Sequence, residues 1–205
     1  MRPQVKICGI TNLDDALFCT QVGANALGFI FYKKSPRYIE PSTAAKIIEE
    51  LPGYISPVGV FVNEQRKVIE QIVSETGIRI IQLSGDESPD DCLRFKTRVW
   101  KAFRLFDLEE VKQIKRYKIA AAMLEGASGT LYGGSGILPD YAVALEMKEY
   151  HPVILSGGLK PENVTEAVRL VEPYAIDVNS GLEASPGKKD HIKVKLLFEK
   201  LEHLK

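Results

Sequence analysis

PVILSGGLKPENVTEAVRLVEPYAIDVNSG, residues 152–181, contains the pattern that decides the expected fold. Two short apolar runs, 152–155 and 175–178, flank a segment that enters a plausible helix at Pro161. Strands that are apolar throughout and joined by a crossover helix pair in parallel and are buried on both faces. The stretch therefore predicts a βαβ unit.

The same alternation runs along the whole chain. Eight strands are expected, at 5–9, 26–31, 57–62, 79–83, 99–104, 119–124, 152–155 and 175–178. Eight such units most economically close into a (β/α)8 barrel. The alternative is an open doubly wound sheet, which usually carries a G-x-G-x-x-G fingerprint after its first strand, and this chain has none there. We therefore expect an α/β fold, a single (β/α)8 TIM barrel domain spanning 1–205, at the short end of the usual length.

Capping residues indicate where several helices begin and end. Helix starts are expected at Asn12, at Ser88-Pro89, and at Asp107 followed by Glu110, and helix ends at Gly23 and Gly77. A polar residue before the first turn accepts free N–H groups, and glycine adopts the left-handed conformation that ends a helix. Cys19 and Cys92 are expected in helices, as packing residues.

Composition excludes several classes of protein. The chain has 27 basic and 27 acidic residues, 45% hydrophobic and 26% charged content, so no net field favours nucleic acid or an anionic membrane. No apolar run approaches the roughly 20 residues of a membrane span, and the N-terminus lacks a secretory pattern. Three widely spaced cysteines, far from the three histidines, indicate a reducing compartment such as the cytoplasm and argue against disulfides or structural zinc.

Glycines that follow the last two strands suggest a phosphate site. In a barrel, function lies at the carboxyl ends of the strands, and the loops after strands seven and eight often bind phosphate. Gly157 and Gly158 follow the seventh strand, and Ser180 and Gly181 follow the eighth. Backbone N–H groups in such loops can surround an anion. The alternative for either loop alone is a simple strand-to-helix turn.

Two strand ends carry candidate acid–base groups. Cys8 closes the first strand and could act as base or nucleophile, or could be a small buried packing residue. We expect Lys6 to lie on the opposite face, where it would not supply charge to the thiol. Glu125 ends the sixth strand and could act as general acid, or could be a solvated loop carboxylate. The glycine-rich loop 126–136 that follows is expected to move unless a ligand orders it.

Arg37 and Asp177 are the remaining candidates for substrate contact. Arg37 follows the second strand, and its planar guanidinium suits a substrate carboxylate, although a surface arginine is the alternative. Asp177, in the eighth strand, could orient a substrate hydroxyl, serve as a second acid, or hold core polar groups together.

Motifs along nearly the entire chain resemble one family. They are KICGIT (6–11), ALGFIF (26–31), SPRYI (35–39), VGVFV (58–62), YGGSG (132–136), LSGGL (155–159), SGLE (180–183) and PGKKD (186–190). The set resembles the phosphoribosylanthranilate isomerases of tryptophan biosynthesis. The resemblance implies a cofactor-free and metal-free Amadori rearrangement of N-(5-phosphoribosyl)anthranilate, a small phosphosugar.

The resemblance also implies roles for individual residues. Cys8 would be the general base that removes the C2′ proton, Arg37 would hold the anthranilate carboxylate, and the backbone around Gly157, Gly158, Ser180 and Gly181 would bind phosphate.

Two positions depart from the family, which has Asp as the acid where this chain has Glu125, and His where it has Ser84. The alternative functions are a diverged phosphosugar-binding barrel without catalysis, or a related phosphosugar enzyme with another substrate. Both a monomer and a homodimer are compatible with the sequence.

Overall fold

A closed barrel of eight parallel strands forms the centre of the structure. The structure is a computed structural model that describes residues 2–93, 95–105, 107–126, 137–202 and 204. The strands are β1 Gln4–Ile7, β2 Ala26–Ile30, β3 Ser56–Phe61, β4 Ile80–Leu83, β5 Arg98–Phe103, β6 Ala121–Glu125, β7 Val153–Ser156 and β8 Ala175–Val178. They pair in chain order, and β1 pairs with β8 to close the barrel. The expected (β/α)8 fold is confirmed.

Helices surround the barrel. They are α1 Leu13–Gln21, α2 Pro41–Glu49, α3 Arg66–Thr76, α4 Leu108–Val111, α5 Tyr141–Met147, α6 Val164–Val171 and α7 His191–Glu202, with 3₁₀ segments Lys112–Arg116 and Ser180–Leu182 and a hairpin of β9 Glu183–Ser185 and β10 Lys188–Lys189. The expected caps at Asn12 and Asp107 are confirmed, because each side chain accepts the N–H of the residue three positions on, at 2.9 Å. Gly77 ends α3 with φ +76°. None of the described helices is long and apolar enough to span a membrane.

The expected helix at Ser88-Pro89 is wrong. Residues 89–92 form a turn, after which the chain enters β5. The Asp91 carboxylate accepts both the N–H and the hydroxyl of Ser88, at 2.8 and 2.7 Å. The Asp91 N–H donates back to the Ser88 hydroxyl at 3.3 Å, so the two residues form a capping box, but only one turn follows it before the chain continues towards β5. Cys92 therefore lies in a turn rather than a helix, although it is buried as expected, whereas Cys19 lies in α1.

Alternation along the strands creates a layered barrel interior. Its apolar lower part consists of Ala26, Val58, Ile80, Trp100, Ala102, Ala121, Met123, Ile154 and Ala175. Side chains two positions apart on a strand share a face. The interior residues nearer the carboxyl ends are polar, namely Lys6, Gln82, Glu125, Ser156 and Asp177, and all are buried. The fold thus places a polar layer directly beneath the end where barrel enzymes act.

Candidate active site

Four neighbouring strands place polar groups side by side at the carboxyl end of the barrel. In register, Glu125 pairs with Ser156, Ser156 with Asp177, and Asp177 with Lys6. The Lys6 ammonium lies 2.7 Å from Asp177 Oδ1, and the Ser156 hydroxyl donates to Asp177 Oδ2 at 3.4 Å. Lys6 is 1% exposed. The barrel therefore holds a buried ion pair beside Glu125.

Cys8 lies next to this ion pair. The residue follows β1, and its N–H donates to the Val178 carbonyl oxygen at 3.0 Å. A methyl carbon added to Gly28 would lie 2.6 Å from Cys8 Sγ and 3.0 Å from Lys6 Nζ. The sulfur and the ammonium thus share one small space that only glycine leaves open.

The expectation that Lys6 lies on the face opposite to Cys8 is wrong. Residues two apart on a strand point to the same side, so both side chains enter the barrel. Burial raises the pKa of the Cys8 thiol above its ordinary value, while Lys6 opposes that rise and Asp177 adds to it. Burial would lower the pKa of Lys6, but Asp177 and Cys8 outweigh it and raise the pKa.

Glu125 is a buried carboxyl group rather than a solvated loop residue, since it is 9% exposed. Burial, and secondarily the nearby Asp177 charge, raise its pKa from 4.5 to about 7, against the opposing effect of Arg104, Lys6 and Lys101. A carboxyl group of this kind carries a proton about half the time near neutral pH. The expected mobility of the following loop concerns 127–136, which lie outside the described residues.

Arg37 is not a free surface arginine. Its Nε donates to both carboxylate oxygens of Glu183, at 2.9 and 3.0 Å, and its Nη2 donates to Oε2 at 2.7 Å. Gly9 has φ +74°, and a carbon added to it would lie 2.9 Å from Arg37 Cδ and 2.7 Å from Asn179 Oδ1. The missing side chain at Gly9 lets the arginine pass beside Cys8, at the barrel mouth.

Glu183 and Lys189 support Arg37, and the sequence analysis did not single them out. Lys189 Nζ lies 3.2 Å from Glu183 Oε1 and donates to Asn179 Oδ1 at 3.1 Å, and the Gly187 N–H also reaches Glu183. Burial would raise the pKa of Glu183, but the Arg37 hydrogen bond and the Lys189 charge lower it. Their only signal in the sequence is the pair of short motifs after the last strand.

The two glycine loops expected to bind phosphate touch each other. Gly157 and Gly158 have φ +97° and +58°, in the left-handed region that favours glycine. A carbon added to Gly181 would lie 2.1 Å from the Leu159 carbonyl oxygen, so the loops after β7 and β8 are in direct contact. Ser180 begins the 3₁₀ segment that follows β8. The structure therefore brings all four expected residues together.

Two further features lie at the barrel mouth. Cys8 packs with Ile30 and Val60 in a small apolar cluster against which Tyr32 lies. Gln82 donates from Nε2 to the Ser84 hydroxyl at 3.0 Å, so the serine found where the family has histidine is a hydrogen-bond partner inside the barrel. No group of three or more metal-binding side chains occurs in the described parts of the chain.

A closed parallel barrel with titratable groups clustered at the carboxyl ends of its strands defines an enzyme of the (β/α)8 class. A family model described as N-(5′phosphoribosyl)anthranilate (PRA) isomerase matches residues 5–200. The chain belongs to the N-(5′-phosphoribosyl)anthranilate isomerase family, as the motifs predict.

Relatives and solved structures support this membership. The chain is 45% identical over 192 residues to the N-(5′-phosphoribosyl)anthranilate isomerase of Geobacter metallireducens, covering 94% of this chain and 95% of that protein. The phosphoribosyl anthranilate isomerase of Thermotoga maritima superposes with a TM-score of 0.91 at 39% identity, covering 98% and 100%. A further such structure holds reduced 1-(o-carboxyphenylamino)-1-deoxyribulose 5-phosphate, with a TM-score of 0.88, 38% identity and the same coverage.

Proposed function

We propose that this chain, as one barrel domain over 1–205, isomerises N-(5′-phosphoribosyl)anthranilate in tryptophan biosynthesis, with Glu125 as general acid and Cys8 as general base. The observation that carries the assignment of roles is the placement of a buried carboxyl group and a buried thiol around one ion pair, Lys6 and Asp177. The rearrangement needs one proton donor at the ring oxygen and one proton acceptor at C2′.

Glu125 performs the first step. Its pKa of about 7 leaves a proton on a substantial fraction of molecules near neutral pH, where most carboxyl groups are ionised. The carboxyl group donates this proton to the furanose oxygen, the C1′–O bond breaks, and the nitrogen lone pair completes an open-chain iminium. No metal or cofactor is needed for this bond cleavage.

Cys8 performs the second step. The thiolate removes the C2′ proton, the C2′–H electron pair forms a C1′=C2′ bond, and the C1′=N electrons return to nitrogen. The resulting enol gains a proton at C1′ and loses its hydroxyl proton to give the ketone of the product. Burial raises the pKa of Cys8, so the reactive form, with Glu125 protonated and Cys8 ionised, is a minority of the molecules. Rate therefore depends on what stabilises that form.

Binding groups surround these two residues. Arg37 directs Nε and one Nη2 hydrogen to Glu183, so its Nη1 edge is oriented for the substrate carboxylate. The apolar cluster at Ile30 and Val60 suits the aromatic ring beside Cys8. Asp177 accepts a hydrogen bond from a substrate hydroxyl. The backbone N–H groups at Gly157, Gly158, Ser180 and Gly181 bind the phosphate.

The test is fluorescence-monitored consumption of freshly generated phosphoribosylanthranilate by purified protein. Wild type should turn over, whereas Glu125→Gln and Cys8→Ala should each lose about 10²–10⁴-fold in kcat. Both variants should still bind the reduced product analogue. Cys19→Ala removes another buried cysteine, in α1, and should keep its activity. Normal turnover by Glu125→Gln would remove that residue from the mechanism.

The same assay decides between the remaining candidates. If wild type binds the product analogue without turnover, the result would favour the diverged phosphosugar-binding barrel. Glu125 and Ser84, which differ from the family's residues at these positions, are the features that support this alternative. Binding of phosphate alone would favour a related enzyme with another substrate. Glu125→Asp tests the length of the acid's side chain, since a displacement of about 1 Å can cost on the order of a hundredfold in rate.

Location and assembly complete the proposal. All three cysteines are free, which supports a reducing compartment, and we place the protein in the cytoplasm. A Thermotoga maritima relative is described as a dimeric phosphoribosylanthranilate isomerase. Sedimentation of this chain at several concentrations would distinguish monomer from homodimer.

A further inference from the structure

Lys6 is a buried lysine that neither chemical step described above uses. It is 1% exposed in the barrel interior, beside the two residues that exchange protons with the substrate. Burying an ammonium is costly unless it has a partner, and Asp177, at 2.7 Å, supplies one. A purely structural ion pair would need only Asp177.

The geometry also places the Lys6 ammonium near the thiol. Both Cys8 Sγ and Lys6 Nζ approach the position of a missing side chain on Gly28, at 2.6 and 3.0 Å. The sulfur and the nitrogen are therefore no further apart than the sum of those distances. An opposite charge within about 4–6 Å strongly favours the ionised form of a group.

We propose that Lys6 is a positioning residue for the reaction, whose ammonium is the counter-charge that stabilises the Cys8 thiolate. This inference rests on the proposed role of Cys8 as base. Asp177 has the opposite effect, because its negative charge disfavours the thiolate and pairs with the same ammonium.

Other charged groups reach the site from several elements. The charges that shift the pKa of Cys8 are those of Lys6, Asp177 on β8 and Lys189 on β10. The charges that shift the pKa of Glu125 are those of Asp177, Arg104, Lys6 and Lys101. Lys189 has a smaller influence on the thiol than Lys6, and its ammonium lies 3.2 Å from Glu183. Lys6 is therefore the cation whose removal should change the ionisation of Cys8 most.

The two sides of the ion pair should act in opposite directions. Lys6→Met removes the counter-charge and should decrease the thiolate fraction about tenfold or more, since an opposite charge at this range shifts a pKa by about 1–3 units. Asp177→Asn leaves the ammonium to the thiol alone and should increase it. If the Lys6–Asp177 pair were merely structural, both variants should change the thiolate fraction of Cys8 in the same direction, because both break the same ion pair.

The experiment measures the rate at which iodoacetamide alkylates Cys8 between pH 6.5 and 8.5. Only the thiolate reacts, and mass spectrometry of the Cys8 peptide separates it from Cys19 and Cys92. Slower alkylation in Lys6→Met together with faster alkylation in Asp177→Asn supports the proposal. Equal rates in Lys6→Met and wild type, or changes in the same direction in both variants, would overturn it.

Lys6→Met leaves the buried Asp177 carboxylate unpaired, which destabilises the fold. A second variant keeps the proposal testable if Lys6→Met does not fold. Lys6→Met with Asp177→Asn replaces the pair by neutral groups of similar size. It should alkylate more slowly than wild type, since Lys6 has the larger influence on Cys8, and an equal or faster rate would contradict the proposal. Absent turnover in wild type would defeat the proposed function alone, because alkylation does not depend on the substrate.

Discussion

Glu125→Gln should change how the stability of the protein depends on pH. The carboxyl group has a pKa of about 7 in the folded chain, against an ordinary value of 4.5, because it is buried and lies near the charge of Asp177. Below about pH 4.5 it is protonated in both folded and unfolded chains. As pH rises from there to 7, the unfolded chain releases the proton while the folded chain keeps it, so wild type loses stability across this window. The glutamine variant does not.

The size of the effect follows from the two pKa values. Each pKa unit corresponds to about 1.4 kcal/mol, so the interval from 4.5 to about 7 corresponds to about 3 kcal/mol. Between pH 4.5 and pH 8, Glu125→Gln should therefore gain about 3 kcal/mol in free energy of unfolding relative to wild type. Comparing the two pH values cancels the pH-independent cost of burying an amide.

Urea unfolding followed by circular dichroism, at a series of pH values from 4.5 to 8.5, measures this difference. Glu149→Gln is the matched control, because Glu149 is an exposed glutamate on the surface. It removes a glutamate from the surface and leaves the buried Glu125 in place. A Glu125→Gln difference from wild type that is constant with pH would refute the reasoning, since it would mean that the buried carboxyl group ionises as it does in water.

Three further outcomes are expected. Gly28→Ala places a carbon 2.6 Å from the Cys8 sulfur and should abolish turnover and cost about 1–3 kcal/mol in urea unfolding, whereas Gly53→Ala, which meets nothing within 4 Å, should preserve both. Glu183→Gln weakens the hold on Arg37 and should raise KM about tenfold without changing inhibition by inorganic phosphate; weaker phosphate inhibition would indicate a wider collapse of the loops. In wild type, kcat/KM should rise with pH to a plateau beginning near pH 7, because further ionisation of the base is then offset by deprotonation of the acid; a steady decline above pH 7 would show that the base is already ionised there.

Local patterns predicted the architecture. Strands buried on both faces are mostly apolar, so all eight are visible in the sequence, with ends within two residues of those observed. The caps at Asn12 and Asp107 are equally local and were predicted correctly. The capping box at Ser88 and Asp91 is present, but a start signal does not determine how far a helix continues, and here only one turn follows it.

The residues of the candidate site were also predictable where the signal was local and not where it joined distant parts of the chain. Cys8, Glu125 and Asp177 were identified because strand ends are local features and a barrel gathers them at one end. The side of the strand on which Lys6 lies was also readable from the alternation of side chains, and the prediction was in error. By contrast, the partnership of Arg37 with Glu183 joins residues 146 positions apart, and no local pattern indicates it.

The sequence by itself determined the order of the strands, the (β/α)8 class and the positions of Cys8, Glu125 and Asp177 at strand ends, because periodicity and burial act over short stretches of chain. Only the tertiary structure decided the state of those residues. The Lys6 and Asp177 charges meet across 171 positions because β1 closes on β8, and burial inside the closed barrel raises the pKa values of both Cys8 and Glu125. Desolvation and charge pairing depend on neighbours in space, which barrel closure alone supplies.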